Sequence, residues 1–198
     1  MAQVTINAKT GSTGVRSNVD TFSNARSASS GTTTNFVLQN TKTGGSYQIG
    51  RGFLNFTITS IPRGSKITAV TFVHPAVANF LNSDSLTTHI VDHTGNDPIV
   101  GADYDLITLD SDTSYGSVAL SGLSTSTTTN ISLDSNGVAL LQTALDTGAS
   151  IVKYAIRGSS DVNNSAPSGF NEYTIVSTDA QITVTYTPSG GAALFGGL

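Results

Sequence analysis

The stretch FLNFTITSIPRGSKITAVTFV, residues 53–73, contains two apolar runs separated by a turn. The first run alternates apolar and polar residues, with Leu54, Phe56 and Ile58 on one side, which is the period of a strand with one buried and one wet face. The second run, KITAVTFV at 66–73, is apolar at both parities and predicts a central strand covered on both faces. Pro62 and Gly64 between the runs are typical of a tight turn.

The same pattern continues along the chain. QITVTY at 181–186 and QVTIN at 3–7 alternate in the same way and predict strands. Further strand candidates lie near 17–23, 34–40, 86–92, 104–109, 116–121, 128–133, 151–157 and 171–177. One segment, LDSNGVALLQTALDTG at 133–148, favours a short helix, with Asp134 or Ser135 as the N-cap and Gly148 as the stop. Many short strands with turn residues between them predict an all-β sandwich or barrel with one short helix.

Composition narrows the classes of partner. Charged residues make up 11% of the 198 residues, and the formal net charge is -4. The nine Lys and Arg are scattered along the chain, whereas binding to phosphates needs them clustered, so we expect no nucleic-acid partner. No apolar run approaches the roughly 20 residues of a membrane span, so we expect no membrane insertion. The absence of cysteine excludes disulfides and thiolate metal sites.

A family resemblance emerges from GRGFLNFTITSIPRGSKITAVTFVHPAV at 50–77 and from YAIRGSSDVNNSAPSGFNEYTIVSTDAQITVTYTP at 154–188. Both segments resemble DNRLRE-type domains, which are modules of bacterial cell-surface proteins with relatives in tailed-phage virions. The residues that match in the first segment are Arg51, Leu54, Phe56, Ser60, Pro62, Gly64, Ile67, Ala69 and Phe72. The resemblance implies a jelly-roll-like β-sandwich, a role in surface attachment, polysaccharide binding in some branches, and no catalytic residues.

The chain ends in SGGAALFGGL, which differs from everything before it. We predict a β-sandwich domain over 1–188 and a flexible, Gly-rich, apolar C-terminal tail over 189–198. The apolar residues of the tail are Ala192, Ala193, Leu194, Phe195 and Leu198. Such residues are misplaced in water unless something covers them, so we predict that the tail docks on a partner surface. A disordered end is the alternative.

Residues with chemical potential receive structural interpretations. His89 and His93 are four apart, but on a strand that spacing is about 13 Å, too far for one metal ion. The aspartates Asp103, Asp105, Asp110 and Asp112 could ligate calcium or form a solvated loop, and Asp161, Asn163 and Asn164 favour a turn. We predict no metal, no cofactor and no catalytic residue. Arg51 and Arg157 lie inside strand runs, where we expect a paired structural role.

Four aromatic residues, Tyr104, Tyr115, Phe170 and Tyr173, lie near predicted loops. Exposed there, they would be able to stack on a sugar, so we mark them as candidate glycan contacts; the alternative is that they fold over the edge of the sandwich.

The functional expectation is a non-enzymatic structural protein of a phage-like virion, such as a head decoration, head-fibre or tail-associated subunit. It would be made in the host cytoplasm and bind other virion proteins and copies of itself. The alternative is a carbohydrate-binding or adhesin module, extracellular or at a cell surface, that binds a host-surface glycan.

Overall fold

The structure is a computed structural model that describes residues 1–9, 13–27, 32–33, 35–106 and 113–189. The described residues form thirteen strands and three short helices. The strands are β1 (Ala2–Asn7), β2 (Thr13–Val19), β3 (Thr32–Thr33), β4 (Asn35–Thr43), β5 (Ser46–Thr57), β6 (Lys66–His74), β7 (Ala78–Asn82), β8 (Thr87–Asp92), β9 (Gly116–Ala119), β10 (Thr129–Ser132), β11 (Ile151–Gly158), β12 (Asn171–Val176) and β13 (Gln181–Thr187). The helices are α1 (Phe22–Ser27), α2 (Ser135–Asp146) and α3 (Ser159–Val162).

Two antiparallel sheets make up the fold. The smaller sheet has the order β1-β13-β6-β10. The larger has the order β7-β12-β4-β5-β11-β8-β9, with β2 pairing β3 and β5. The two sheets face each other across one apolar core, so the predicted all-β sandwich is confirmed, and α2, with twelve residues, is the predicted short helix.

The core between the sheets comes from the alternating strands that the sequence identified. Phe56 of β5 and Phe72 of β6 are fully buried and meet edge to face, with 6.3 Å between ring centroids. Ile182 and Val184 of β13 are also fully buried. Burying a side chain of this size contributes roughly 1.5–3 kcal/mol, so these residues supply much of the stability of the sandwich.

Helix α2 confirms the predicted helix and packs against the core. The Asp134 side chain accepts hydrogen bonds from the backbone N–H groups of Asn136 and Gly137, both at 2.9 Å, which fixes the start of the helix. Leu141 and Leu145 are buried in the core. Gly148, with φ of +82°, adopts the left-handed conformation that ends helices.

Strands β5 and β6 exchange the roles that the sequence predicted for them. The central position of β6 is confirmed, but its predicted burial on both faces is wrong, because Lys66, Thr68 and Ala69 are exposed. Strand β5 is instead buried on both faces throughout 49–56. Its second face is covered by α1 and by the segment around Ile99 and Tyr104, which form a smaller apolar cluster.

Most of the other predicted strands are found within a few residues of their expected positions, as β4, β8, β9, β10, β11 and β12. Near 17–23, the chain leaves β2 and starts α1, because the Thr21 hydroxyl accepts the N–H of Asn24 and caps a helical turn. The strand predicted at 104–109 is wrong for 104–106, which belong to a 3₁₀ turn at Gly101–Leu106. The residues 107–109 lie outside the described residues.

A helix that crosses a membrane needs roughly 20 consecutive apolar residues. Among the described residues, no helix is long and apolar enough to cross one.

Candidate interaction surface

The outer face of the four-stranded sheet carries mostly uncharged polar side chains. We call it the hydroxyl face and define it by these residues: Gln3, Thr5 and Asn7 of β1, Gln181, Thr183, Thr185 and Thr187 of β13, Lys66, Ala69, Thr71 and Val73 of β6, and Asn130 and Ser132 of β10. Each strand turns alternate residues into the core, so the remaining ones point outwards together. All of them are exposed or half-buried.

Strand register arranges the hydroxyl face in rows. The central row runs through Thr5, Thr183, Thr71 and Ser132, which are direct partners across all four strands. The hydroxyl oxygens of Thr5 and Thr183 lie 3.3 Å apart. Strands are spaced about 4.8 Å apart and alternate residues about 7 Å apart, so the face is a regular array of hydroxyl and amide groups.

The hydroxyl face has almost no charge. Lys66, at one end of β6, is the charged member of the set. A surface without charges meets no like-charge repulsion when it lies against another copy of itself, and its desolvation costs far less than that of ionised groups. The arrangement therefore suits protein association better than it suits binding of a charged ligand.

A groove lies beside this sheet, between α2 and the start of β6. Its volume is about 390 Å³, and its lining includes Ile67, Val138, Ala139 and Gln142. Ala139 is exposed and Val138 is half-buried. Lys66, Asp146 and Ser135 also line the groove, so its exposed apolar wall is the part formed by Val138 and Ala139.

The structure places three of the four predicted glycan-contact rings in the interior. Tyr104 and Tyr173 are fully buried, and Tyr115 is 9% exposed, so the expected exposure of these rings is wrong. Their hydroxyl groups have partners inside the protein: that of Tyr173 meets His74 Nε2 at 3.0 Å, and that of Tyr104 donates to the Ala25 carbonyl. The interior supplies hydrogen-bond partners for the hydroxyl groups of Tyr104 and Tyr173, so both rings can be buried without an unpaired polar group.

Phe170 is the half-exposed ring of the four. Its backbone carbonyl accepts hydrogen bonds from the N–H of Ser83, at 3.2 Å, and from the Ser83 hydroxyl, at 2.9 Å. The structure does not bring the four rings together on one surface.

Arg51 and Arg157 form a buried cluster around the carboxylate of Asp161, a residue that the sequence assigned to a turn. Arg51 donates twice to Asp161, from Nε at 2.7 Å and from Nη2 at 2.8 Å, and Arg157 donates from Nε at 2.9 Å. Arg26 adds an Nε hydrogen bond at 3.2 Å. The Arg51 guanidinium also lies over the ring of Tyr104, 4.1 Å from its centroid. The paired structural role of both arginines is confirmed.

Electrostatics of the cluster favour the ionised carboxylate. Burial raises the pKa of Asp161, but the charges and hydrogen bonds of Arg51 and Arg157 outweigh burial and hold it well below its usual range. The backbone N–H of Asp161 donates to the Asn40 side chain at 3.0 Å. Asp161 therefore joins α3 to β5 and β11, two neighbouring strands of the larger sheet, through Arg51 and Arg157.

The four aspartates of the predicted loop, Asp103, Asp105, Asp110 and Asp112, do not form one site in the described residues. Asp103 is buried, and its carboxylate accepts the N–H groups of Asn96 at 3.0 Å and Val100 at 2.7 Å, which holds the turn. Asp105 lies in the same 3₁₀ turn. The remaining two, Asp110 and Asp112, lie outside the described residues. Within the described ranges, no three His, Asp or Glu side chains are grouped as a metal site requires.

His74 and His89 make hydrogen bonds with neighbouring groups of the protein. His89 lies in β8 and its Nδ1 is 2.9 Å from the Ser114 hydroxyl, while His93 follows the last residue of that strand. His74 is fully buried, and its Nδ1 donates to the Pro75 carbonyl at 2.8 Å. Desolvation by burial lowers the pKa of both His74 and His93 to about 4.

Comparison with known proteins leaves the resemblance as a prediction. No family model matches the chain, and no curated protein is similar to it. The tail residues Ala192, Ala193, Leu194, Phe195 and Leu198 lie outside the described residues, so their predicted docking also stays a prediction.

Sequence reasoning did not find the hydroxyl face. Its signal was present in the low proportion of charged residues, 11%, and in the threonines on the wet parity of each strand. Which threonines become neighbours depends on strand pairing, which joins residues as far apart as Thr5 and Thr183.

Proposed function

We propose that this chain is a non-enzymatic structural subunit of a phage-like particle that associates with copies of itself through the hydroxyl face. The observation that carries the proposal is the in-register array of uncharged side chains across all four strands of the smaller sheet. The resemblance to DNRLRE-type domains, with their relatives in virions, supports the particle setting.

The physical chemistry of the face supports association of like with like. In a two-fold arrangement each face meets itself, so every group must tolerate its own kind as a neighbour. Hydroxyl and amide groups both donate and accept hydrogen bonds, and therefore satisfy this condition. The threonine methyl groups, with Ala69 and Val73, add apolar area to be removed from water.

The contacts of the buried titratable groups support a structural role. His74 is engaged with Pro75 and Tyr173, and Asp161 with its three arginines. The alternative function, a carbohydrate-binding module, keeps Phe170 as its half-exposed candidate ring.

A lysine at the centre of the hydroxyl face tests the proposal. Thr183 has Thr5 and Thr71 as its direct partners, so Thr183→Lys puts a charge in the middle of the array. We expect wild-type protein to form a defined oligomer in gel filtration with light scattering, and Thr183→Lys to weaken that association by about tenfold or more, because its charge must be desolvated.

The matched control is Thr57→Lys, which changes an exposed threonine at the end of β5, outside the face. It should assemble like the wild type. A wild-type monomer at every concentration, or a Thr183→Lys variant that assembles as well as the control, would rule out association through this face.

A further inference from the structure

The groove between α2 and β6 exists because a side chain replaces a strand there. Strand β10 pairs with β6 over Thr71–His74, so the earlier part of β6 lacks that neighbour. Gln142 of α2 fills the position: its Oε1 accepts the N–H of Ile67 at 2.7 Å, and its Nε2 donates to the Ser65 carbonyl at 3.1 Å. Gln142 therefore links α2 to the free edge of β6, and the groove lies beside this link.

The described chain ends at the rim of this groove. The Ser189 hydroxyl donates to the Arg63 carbonyl at 3.1 Å. The Ser189 Cβ lies 3.3 Å from the position that a Cβ on Gly64 would occupy, and Gly64 lines the groove. Whatever follows Ser189 therefore starts beside the groove.

The residues that follow have the length and chemistry to fill it. Residues 190–198, GGAALFGGL, lie outside the described residues. From Ser189 to Leu194 an extended chain spans up to about 17 Å, and the twelve residues of α2 are about 18 Å long. Gly190 and Gly191 allow the backbone to turn into the groove, since glycine adopts conformations closed to other residues.

We propose that the groove binds this chain's own residues 192–198, with Leu194 and Phe195 against the apolar wall formed by Val138 and Ala139. Docking on the same copy needs no encounter between molecules, because the short link from Ser189 keeps the local concentration of the peptide high. The proposal goes beyond the proposed function, since it concerns a contact within one copy. It also replaces the partner surface expected from the sequence with a surface of the chain itself.

A disulfide test suits this chain, because it contains no cysteine. The double variant Ala139→Cys with Leu194→Cys places one thiol on the exposed wall of the groove and one on the tail. The control combines Leu194→Cys with Thr147→Cys, an exposed position on the same side of the molecule that lies next to Gly148, whose carbonyl Arg63 contacts, and does not line the groove. Both proteins are oxidised when dilute and followed by intact mass and by a non-reducing gel.

We expect the groove pair to close an intramolecular disulfide at least about tenfold faster than the control pair. Equal rates for the two pairs would overturn the proposal, because the tail would then have no preference for the groove. Covalent dimers joined through the groove pair would also overturn it, since the occupant would be the tail of a second copy. Neither outcome depends on the hydroxyl face, whose test uses Thr183→Lys.

Discussion

Asp161→Asn is expected to lower the free energy of unfolding by about 3–5 kcal/mol, because it removes the carboxylate shared by buried guanidinium groups. Arg51, Arg157 and Asp161 are all fully buried, and Arg26 is nearly so. An amide of the same shape keeps the packing but supplies no charge to balance the arginines. A domain is typically stable by about 5–15 kcal/mol, so the variant should be close to unfolding.

Urea unfolding of the variant and the wild type measures this effect. The matched control is Asp146→Asn at the exposed end of α2, whose carboxylate accepts a hydrogen bond from Gln142 at 2.8 Å. Surface changes of this kind usually stay within about 0.5 kcal/mol. If Asp161→Asn were as stable as the control, the carboxylate would not be what balances the buried arginines.

Acid is expected to destabilise the protein between pH 6.5 and about 4, through His74 and His93. Burial lowers the pKa of each from 6.5 to about 4 in the folded state. As the pH falls through 6.5 the unfolded chain takes up protons that the folded protein cannot, so stability falls with pH across this window and is level above it. The two pKa shifts correspond to a loss of about 3 kcal/mol for each histidine by pH 4.

The slope of unfolding free energy against pH, measured by urea denaturation, isolates the contribution of each histidine. His74→Gln should flatten the slope by the share of His74, whatever it does to stability at neutral pH. His89→Gln is the control, because His89 is half-buried whereas His74 and His93 are buried; desolvation and the charge of Arg157 lower the pKa of His89. A wild-type profile level from pH 7 to 4.5 would contradict neutral burial of His74 and His93. Aspartates such as Asp161 begin to lose their contribution below about pH 5, so the slope between pH 6.5 and 5 reports the histidines.

Local patterns predicted the elements well, because their causes are local. The alternation in QITVTY, residues 181–186, and the Asp134 cap of α2 both act within a few residues of themselves. The sequence predicts two buried faces for β6 and one for β5, whereas the structure shows the reverse. Burial of a second face depends on which distant segments of the chain cover it. Around β5 that cover is α1 and the segment near Tyr104, and the polar residues Arg51 and Asn55 have partners beneath it.

The candidate surface was less predictable than the fold for the same reason. Tyr104 and Tyr173 follow or precede turns in the sequence, yet the interior supplies partners for their hydroxyl groups. Thr5, Thr71 and Thr183 become neighbours only through the pairing of β1, β13 and β6. The low proportion of charged residues is compatible with an uncharged polar surface, but the position of that surface depends on the register of the strands.

Association through the hydroxyl face can be measured as loss of solvent access at its centre. Thr183→Cys puts the single thiol of the chain at that position, and Thr57→Cys puts it outside the face. The rate of maleimide labelling is measured for both variants at low and at high protein concentration, in the presence of a thiol-free reducing agent. We expect labelling at position 183 to slow by about tenfold or more as the protein assembles, and labelling at position 57 to stay unchanged. Equal labelling of position 183 in dilute and assembled protein would contradict association through the hydroxyl face.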